Sequence, residues 1–277
     1  MAKKKNGHFW ALEFCGEQVR VCRFQIDDEE VEIERCETLS AEDFQLSNYA
    51  ESAGIEWEPD APILCAVPRS EVLLKPFVIP KSGDTDLRNV ALLKLEQSVS
   101  DLKTETTLWG FMEQADPENP RHVHVLAGTI SRAYVGGLQE KHLGGGGWPT
   151  LVECGALSAV RAHLAGSDEP AGCELLVDGA SDGLSIFVLQ KGVIELAHFV
   201  PSGRPTRMAL TEIRRVILTR SSGEGEAVER VVCLGGKAAV DIAGSLRESL
   251  SIPVVEELEV APGGVTTDAE AVPTDWR

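Results

Sequence analysis

His8-Phe9-Trp10-Ala11-Leu12-Glu13, a turn at Cys15-Gly16-Glu17, then Val19-Arg20-Val21-Cys22-Arg23-Phe24 reads as two strands of a hairpin. A second turn, Asp27 to Glu30, leads into a third strand, Val31-Glu32-Ile33-Glu34-Arg35. The pattern returns late in the chain. Cys173-Glu174-Leu175-Leu176-Val177-Asp178 is followed by a turn at Gly179 to Gly183 and by Leu184-Ser185-Ile186-Phe187-Val188-Leu189. After the turn Gln190-Lys191-Gly192 comes Val193-Ile194-Glu195-Leu196-Ala197-His198. β-branched and aromatic side chains fit a pleated, half-buried surface, and Gly and Asp clusters break it, so both copies read as three-strand meanders. In each copy the first strand is apolar and ends in an acid, Glu13 or Asp178, 165 positions apart. Two related lobes are the reading; chance likeness between two meanders is the competing one.

Between the meanders the pattern is mixed. Ser40-Ala41-Glu42-Asp43 resembles a helix start, with Ser capping and acids facing the positive end of the helix. Ile63–Val67 and Val72–Ile79 read as strands about a Pro68-Arg69-Ser70 turn. From Asp84 the spacing of Leu87, Val90, Ala91, Leu95 and Val99 predicts a helix. Thr107–Met112 and His122–Ile130 read as a strand pair around Asp116–Pro120, and Ser131 caps a helix that Gly144–Gly147 stop. Leu151-Val152-Glu153 is a short strand and Ala156–Leu164 a helix, and Gly166–Pro170 serves as the linker between lobes. After the second meander come a helix over Pro205–Arg220, a strand over Arg230–Leu234, a helix over Ala238–Leu250 opened by Gly235-Gly236, and a last strand from Ile252.

Composition limits the function. Lys and Arg number 26 against 44 Asp and Glu, a formal charge of −18. No basic stripe is visible that would neutralise a phosphate backbone, which argues against a nucleic-acid partner. The basic run Lys3-Lys4-Lys5 reads as a solubilising tail, with weak contact to an anionic membrane as the alternative. Seven cysteines, an odd number with no C-x-x-C, point to reduced, buried thiols in a cytosolic compartment. No signal peptide and no span of 18 uncharged apolar residues is expected.

Three stretches resemble the actin-like ATPase superfamily, and within it the PilM-like pilus-assembly proteins and the cytoplasmic domain of the secretion protein GspL. Trp10–Val21 is similar to the family's first phosphate loop; Ile63–Val67, Val78-Ile79-Pro80 and Leu95-Glu96-Gln97 resemble its strand, Leu-Pro stop and Glu-rich helix. Arg230–Gly236 through Ser251-Ile252-Pro253-Val254 resembles its nucleoside-side Gly-Gly turn and closing strand. With Asp178 and Glu153–Leu157 the likeness runs from about residue 8 to 262. It implies an α/β, actin-like (ribonuclease H-like) duplicated fold with mixed sheets. The first lobe would be 8–166, with an inserted subdomain at about 80–148, and the second 167–262 with a reduced insert. Residues 1–7 and 263–277 are expected to be disordered.

In such a fold two β-turns clasp phosphates through backbone N–H groups, and strand-end acids hold the metal and its waters. The resemblance places Glu13, Gly16, Asp178, Ser181, Gly235 and Gly236 around that cleft, as a vestige. Glu13 is one methylene longer than the usual Asp, Cys15 stands where the family has Gly, and Glu17 and Asp182 add charge to the loops. Like charges about 4 Å apart repel by roughly 1 kcal/mol in water and about 4 kcal/mol at an effective dielectric of 20. Arg20 matches the family's Lys or is a surface charge. After Phe199-Val200-Pro201-Ser202-Gly203 the family's second insert is mostly absent. These departures predict no hydrolysis and disfavour ATP and Mg as cofactors.

His122 and His124 share one strand face but lack an identifiable third metal ligand, and no Ser or Cys has a recognisable nucleophile setting. No catalytic or metal residue is therefore expected. The resemblance implies a cytoplasmic scaffold, peripheral to the inner membrane, that captures the cytoplasmic N-terminus of a bitopic, PilN-like partner, with the pilus or secretion ATPase as a further partner. The groove would lie along the Leu87–Val99 helix and the Thr107–Ile130 strands. The alternatives are a working ATPase or sugar-kinase-like phosphotransferase, and an FtsA-like filament former; the Thr266–Arg277 tail lacks the amphipathic helix the latter needs.

Overall fold

The computed structural model describes residues 7–257 apart from 28–29, 57, 59, 82–85, 101, 145–146, 168–171, 181, 204–205, 224–225 and 235. Two compact units emerge. The first takes the chain up to Glu71 together with Ser131–Ser158; the second takes Val72–Ile130 and the chain from Ala159. These boundaries run differently from the lobes expected at 8–166 and 167–262. The inserted strands go with the second unit, and the helix after them returns to the first.

In the first unit β1 (Gly7–Cys15), β2 (Gln18–Asp27) and β3 (Glu30–Ser40) form the expected meander. Gly7, assigned from sequence to a disordered end, already pairs with Ile26. β4 (Ile63–Val67) and β8 (Leu151–Cys154) add in parallel, giving the order β3-β2-β1-β4-β8. Alternation along β1 sends Trp10, Leu12 and Phe14 inward, where Val19 and Val21 of β2 join them. Each such apolar side chain contributes about 1.5–3 kcal/mol on burial. α1 (Leu46–Ser52) begins later than the Ser40 signal suggested. Ser40 is spent in the ladder opposite Gln18, and its Oγ accepts only a local bond from the Glu42 N–H at 3.3 Å. α3 (Arg132–His142) closes this core. Its buried His142 donates from Nδ1 to the Phe44 carbonyl at 3.0 Å and packs on Phe14, and burial lowers the imidazole pKa.

The second unit repeats the first. β9 (Cys173–Ala180), β10 (Gly183–Gln190) and β11 (Val193–Pro201) form a meander, and β12 (Arg230–Leu234) and β13 (Val254–Glu257) extend it in parallel. The order β11-β10-β9-β12-β13 matches the first sheet position for position. That shared order is the duplicated α/β arrangement anticipated from the two meanders. α5 (Thr206–Ser222) and α6 (Gly236–Ser249) supply Ala209, Ile213, Val216, Ile242, Ala243 and Leu246 to the core beneath β9 and β10. β11 passes into α5 after only a short connection, as the reduced second insert requires.

A third sheet, β5-β7-β6, consists of β5 (Val72–Pro80), β6 (Thr107–Ala115) and β7 (His122–Ser131). α2 (Leu87–Ser98), capped by Asp86, packs Ala91 against Ile79, Val123 and Val125. β5 runs beside β11. On β6, the Gln114 amide donates to the Gly192 carbonyl at 3.3 Å and accepts from the Ile194 N–H at 3.2 Å. Lys191 reaches Glu118 at 2.5 Å. Hence the inserted sheet belongs to the second unit.

The expectation of seven reduced thiols is corrected at one pair. Cys22 and Cys36 stand directly opposite on β2 and β3, with Cα atoms 4.1 Å apart, and are joined as a disulfide. They are half-buried and exposed, unlike the fully buried Cys65, Cys154, Cys173 and Cys233. Antiparallel register places residues 14 apart side by side, a proximity that sequence spacing alone does not reveal. Cys15, Cys65, Cys154, Cys173 and Cys233 are free. Burial pushes the thiol of Cys65 up to about 12 and that of Cys233 to about 11, so both stay protonated and unreactive.

Candidate functional site

Glu13 sits near the end of β1, before the two-residue connection Gly16-Glu17. Gly16 has φ +62, the left-handed region that a glycine enters without a Cβ penalty, and the tight hairpin depends on it. The hairpin sets Arg20 directly opposite Glu13, and the guanidinium meets the Glu13 Oε2 at 2.6 Å. The other oxygen, Oε1, would lie 3.7 Å from a Cβ placed on Gly155. Gly155 is the first residue of α4 (Gly155–Ala165), and a carboxylate at a helix N-terminus is favoured by the helix dipole. Glu13 is therefore held between an arginine and a helix start, both supplied by its own unit. Cys15 is half-buried at the strand end, and Glu17 points to solvent from the turn.

The second unit presents the same frame with different side chains. Asp178 lies on β9 opposite Ser185 and beside Leu234 of β12. Both hairpins pair the acid with the residue seven positions on, so the fully buried Ser185 stands where the first unit has Arg20. Gly179, next to Asp178, is pressed against the first turn of α6. A Cβ there would overlap the Ala239 backbone nitrogen and come within 2.9 Å of the Ala239 Cβ. Only glycine allows the β9 end to seat so close to the helix. Gly236 is the first residue of α6. Ser181 and Gly235 lie outside the described residues. The fold thus places Glu13 and Asp178 at equivalent strand ends, as expected, with Gly16 and Gly236 in a turn and at a helix start.

The histidines of β7 turn out to be hydrogen-bonded. Asp116 accepts from the backbone N–H groups of Glu118 and Asn119 through Oδ1, which holds its carboxyl below the usual range. Its Oδ2 lies 3.3 Å from the His124 Nε2, while His122 Nδ1 is 3.1 Å from the Asn119 amide nitrogen. No group of three His, Cys, Asp or Glu side chains among the described residues is arranged to hold a metal ion.

Sequence reasoning missed a charged cluster inside the second unit. Glu174 of β9, 2% exposed, pairs with Arg230 of β12, and its other oxygen is 3.2 Å from His163 of α4. A charge in an apolar strand must find partners when buried. The cluster ties β9, β12 and α4 together. A carboxylate at the second position of an otherwise apolar run, Glu174 before Leu175-Leu176-Val177, was the available signal; its partners stand 11 and 56 positions away.

Comparison with protein families finds no family model that matches, and no curated protein matches. Solved structures do. A PilM-PilN type IV pilus biogenesis complex superposes with a TM-score of 0.68 at 13% identity, over 91% of this chain and 89% of that one. A Bacteroides thetaiotaomicron protein with an actin-like ATPase fold and unknown function gives 0.52 at 9% identity, over 92% and 93%. This chain has the actin-like fold. The cytoplasmic domain of EpsL, an inner-membrane component of the Vibrio cholerae type II secretion system, gives 0.46 at 12% identity, over 91% and 84%. The actin-like fold explains why two sheets share one strand order, and why the two acids fall at matching strand ends. No helix among the described residues is long and apolar enough to cross a membrane.

Proposed function

We propose that the chain is a non-hydrolysing scaffold of a type IV pilus or type II secretion assembly platform at the cytoplasmic face of the inner membrane. It would bind the cytoplasmic N-terminus of a bitopic membrane partner of the PilN kind. The observation that carries this reading is the near full-length likeness, in both directions, to the PilM-PilN complex. Two features of the cleft residues support a role without nucleotide turnover. Glu13 is already neutralised by Arg20 and the start of α4, and Gly179 is filled against by α6. Glu13, Gly16, Asp178, Ser181, Gly235 and Gly236 are then remnants of a nucleotide cleft, and no ATP or Mg is needed.

Peptide capture suits the inserted sheet. Among the described residues β6 has a strand neighbour on one side only, and its free edge offers backbone groups to an extended segment. Beside it, α2 presents Leu93, 54% exposed, and Arg88 covers the Trp109 ring at 4.8 Å. The test is fluorescence anisotropy with the labelled N-terminal peptide of the candidate membrane partner. Saturable binding is expected, weakened about tenfold or more by Leu93→Glu, the loss typical of a contact residue worth above 1 kcal/mol. No binding at high micromolar peptide would refute the proposal.

A further inference from the structure

α5 differs from the rest of the surface. In a chain with 18 more acids than bases, its 17 residues contain four arginines and a single carboxylate, Glu212. Ala209, Ile213 and Val216 turn inward, and Arg220 turns to Glu195 at 2.5 Å. The opposite stripe, one residue per helical turn, is Arg207, Thr211, Arg214 and Leu218, flanked by Met208 and Arg215. Leu218 is 67% exposed and Met208 42%. Glu212 sits at the flank, where it binds Arg215 at 2.7 Å and lies 3.6 Å from His198. Arg207 and Arg214 have no carboxylate partner among the described residues. Leu218 follows Arg214 by one turn, so the exposed ridge carries two arginines and ends on an apolar side chain.

From this pattern we propose that the outer face of α5 docks on the headgroup surface of a bilayer containing anionic phospholipid. Charge complementarity selects the occupant: guanidiniums pair with phosphates in a planar, bidentate way, and Leu218 and Met208 enter between headgroups. A ridge on one helix is convex and offers no groove to a peptide, whereas a bilayer presents a broad face to it. The overall negative charge does not prevent this, because the Debye length at physiological salt is about 8 Å and the surface senses only nearby charges. The contact is peripheral and weak, in keeping with the small number of cations involved. It does not depend on the peptide-binding reading and is tested without any peptide.

The test is co-sedimentation of the full chain with large unilamellar vesicles. One set is pure phosphatidylcholine; the other contains one part phosphatidylglycerol to three parts phosphatidylcholine. The chain should pellet with the anionic vesicles only, and high salt should release it. The Arg207→Gln/Arg214→Gln/Arg215→Gln variant should lose on the order of a hundredfold of the partitioning, since each basic residue near such a surface is worth roughly fivefold. All three positions are exposed, and circular dichroism checks that the variant is folded. Leu218→Ser should weaken binding without abolishing it, while Lys3→Gln/Lys4→Gln/Lys5→Gln should leave it unchanged. Equal pelleting with both vesicle types, pelleting with neither, or an α5 variant that pellets like the parent would overturn the proposal. Loss of binding confined to the lysine variant would do the same.

Discussion

Glu174 and Glu13 both face arginines, yet their surroundings give the two pairs different weight. Glu174 is buried, so removing its carboxylate leaves the buried His163 without its partner, while the Arg230 guanidinium, 36% exposed, can turn to water. Glu174→Ala should therefore cost about 1–3 kcal/mol of unfolding free energy, the usual penalty for leaving a buried polar group such as His163 without its partner. Glu13→Gln removes a pair in which Arg20 is more than half exposed, and should cost less than about 1 kcal/mol. Urea denaturation of the two variants measures both, and similar losses would show that burial had been misjudged. Glu13 and Asp178 were legible because an acid ending an apolar strand stands out in a sequence. The partner of Glu13 was not: Arg20 became one only when the hairpin register placed it directly across.

At the scale of elements, the strands were the most readable feature because alternation and turn residues both mark them. Helix starts were less so. The Ser40 signal was overridden by strand pairing, while Asp86 caps α2 through the Asn89 N–H at 3.1 Å. Pairings between distant elements could not be read. Nothing in the sequence says that β6 reaches β11 through Gln114, since that contact spans about 80 positions and two polar atoms. The β2–β3 bond is another such pairing, and it makes a chemical prediction. Denatured without reductant, the protein should titrate with Ellman's reagent as five thiols, matching the five free cysteines. Seven thiols would mean that Cys22 and Cys36 remain reduced.

Across the whole molecule, one internal symmetry organises the rest. Each half is a meander plus two parallel strands, each first strand carries an acid two residues before its end, and each acid faces the residue seven positions on. Divergence is concentrated in what fills those equivalent places: arginine against serine, and an exposed hairpin tip against a strand end seated on α6. Duplication was visible in the sequence because strand patterns survive changes of side chain. The division into units was not, since it depends on where the inserted sheet packs. Retention of the fold without its nucleotide chemistry is most directly tested by melting temperature in millimolar Mg-ATP. A ligand that binds only the native state adds about 2.7 kcal/mol at a hundredfold excess over its Kd. For a chain of this size each kcal/mol raises Tm by about 2–4 °C. The expected result is an unchanged Tm; a rise of several degrees that requires both Mg and ATP would contradict the reading.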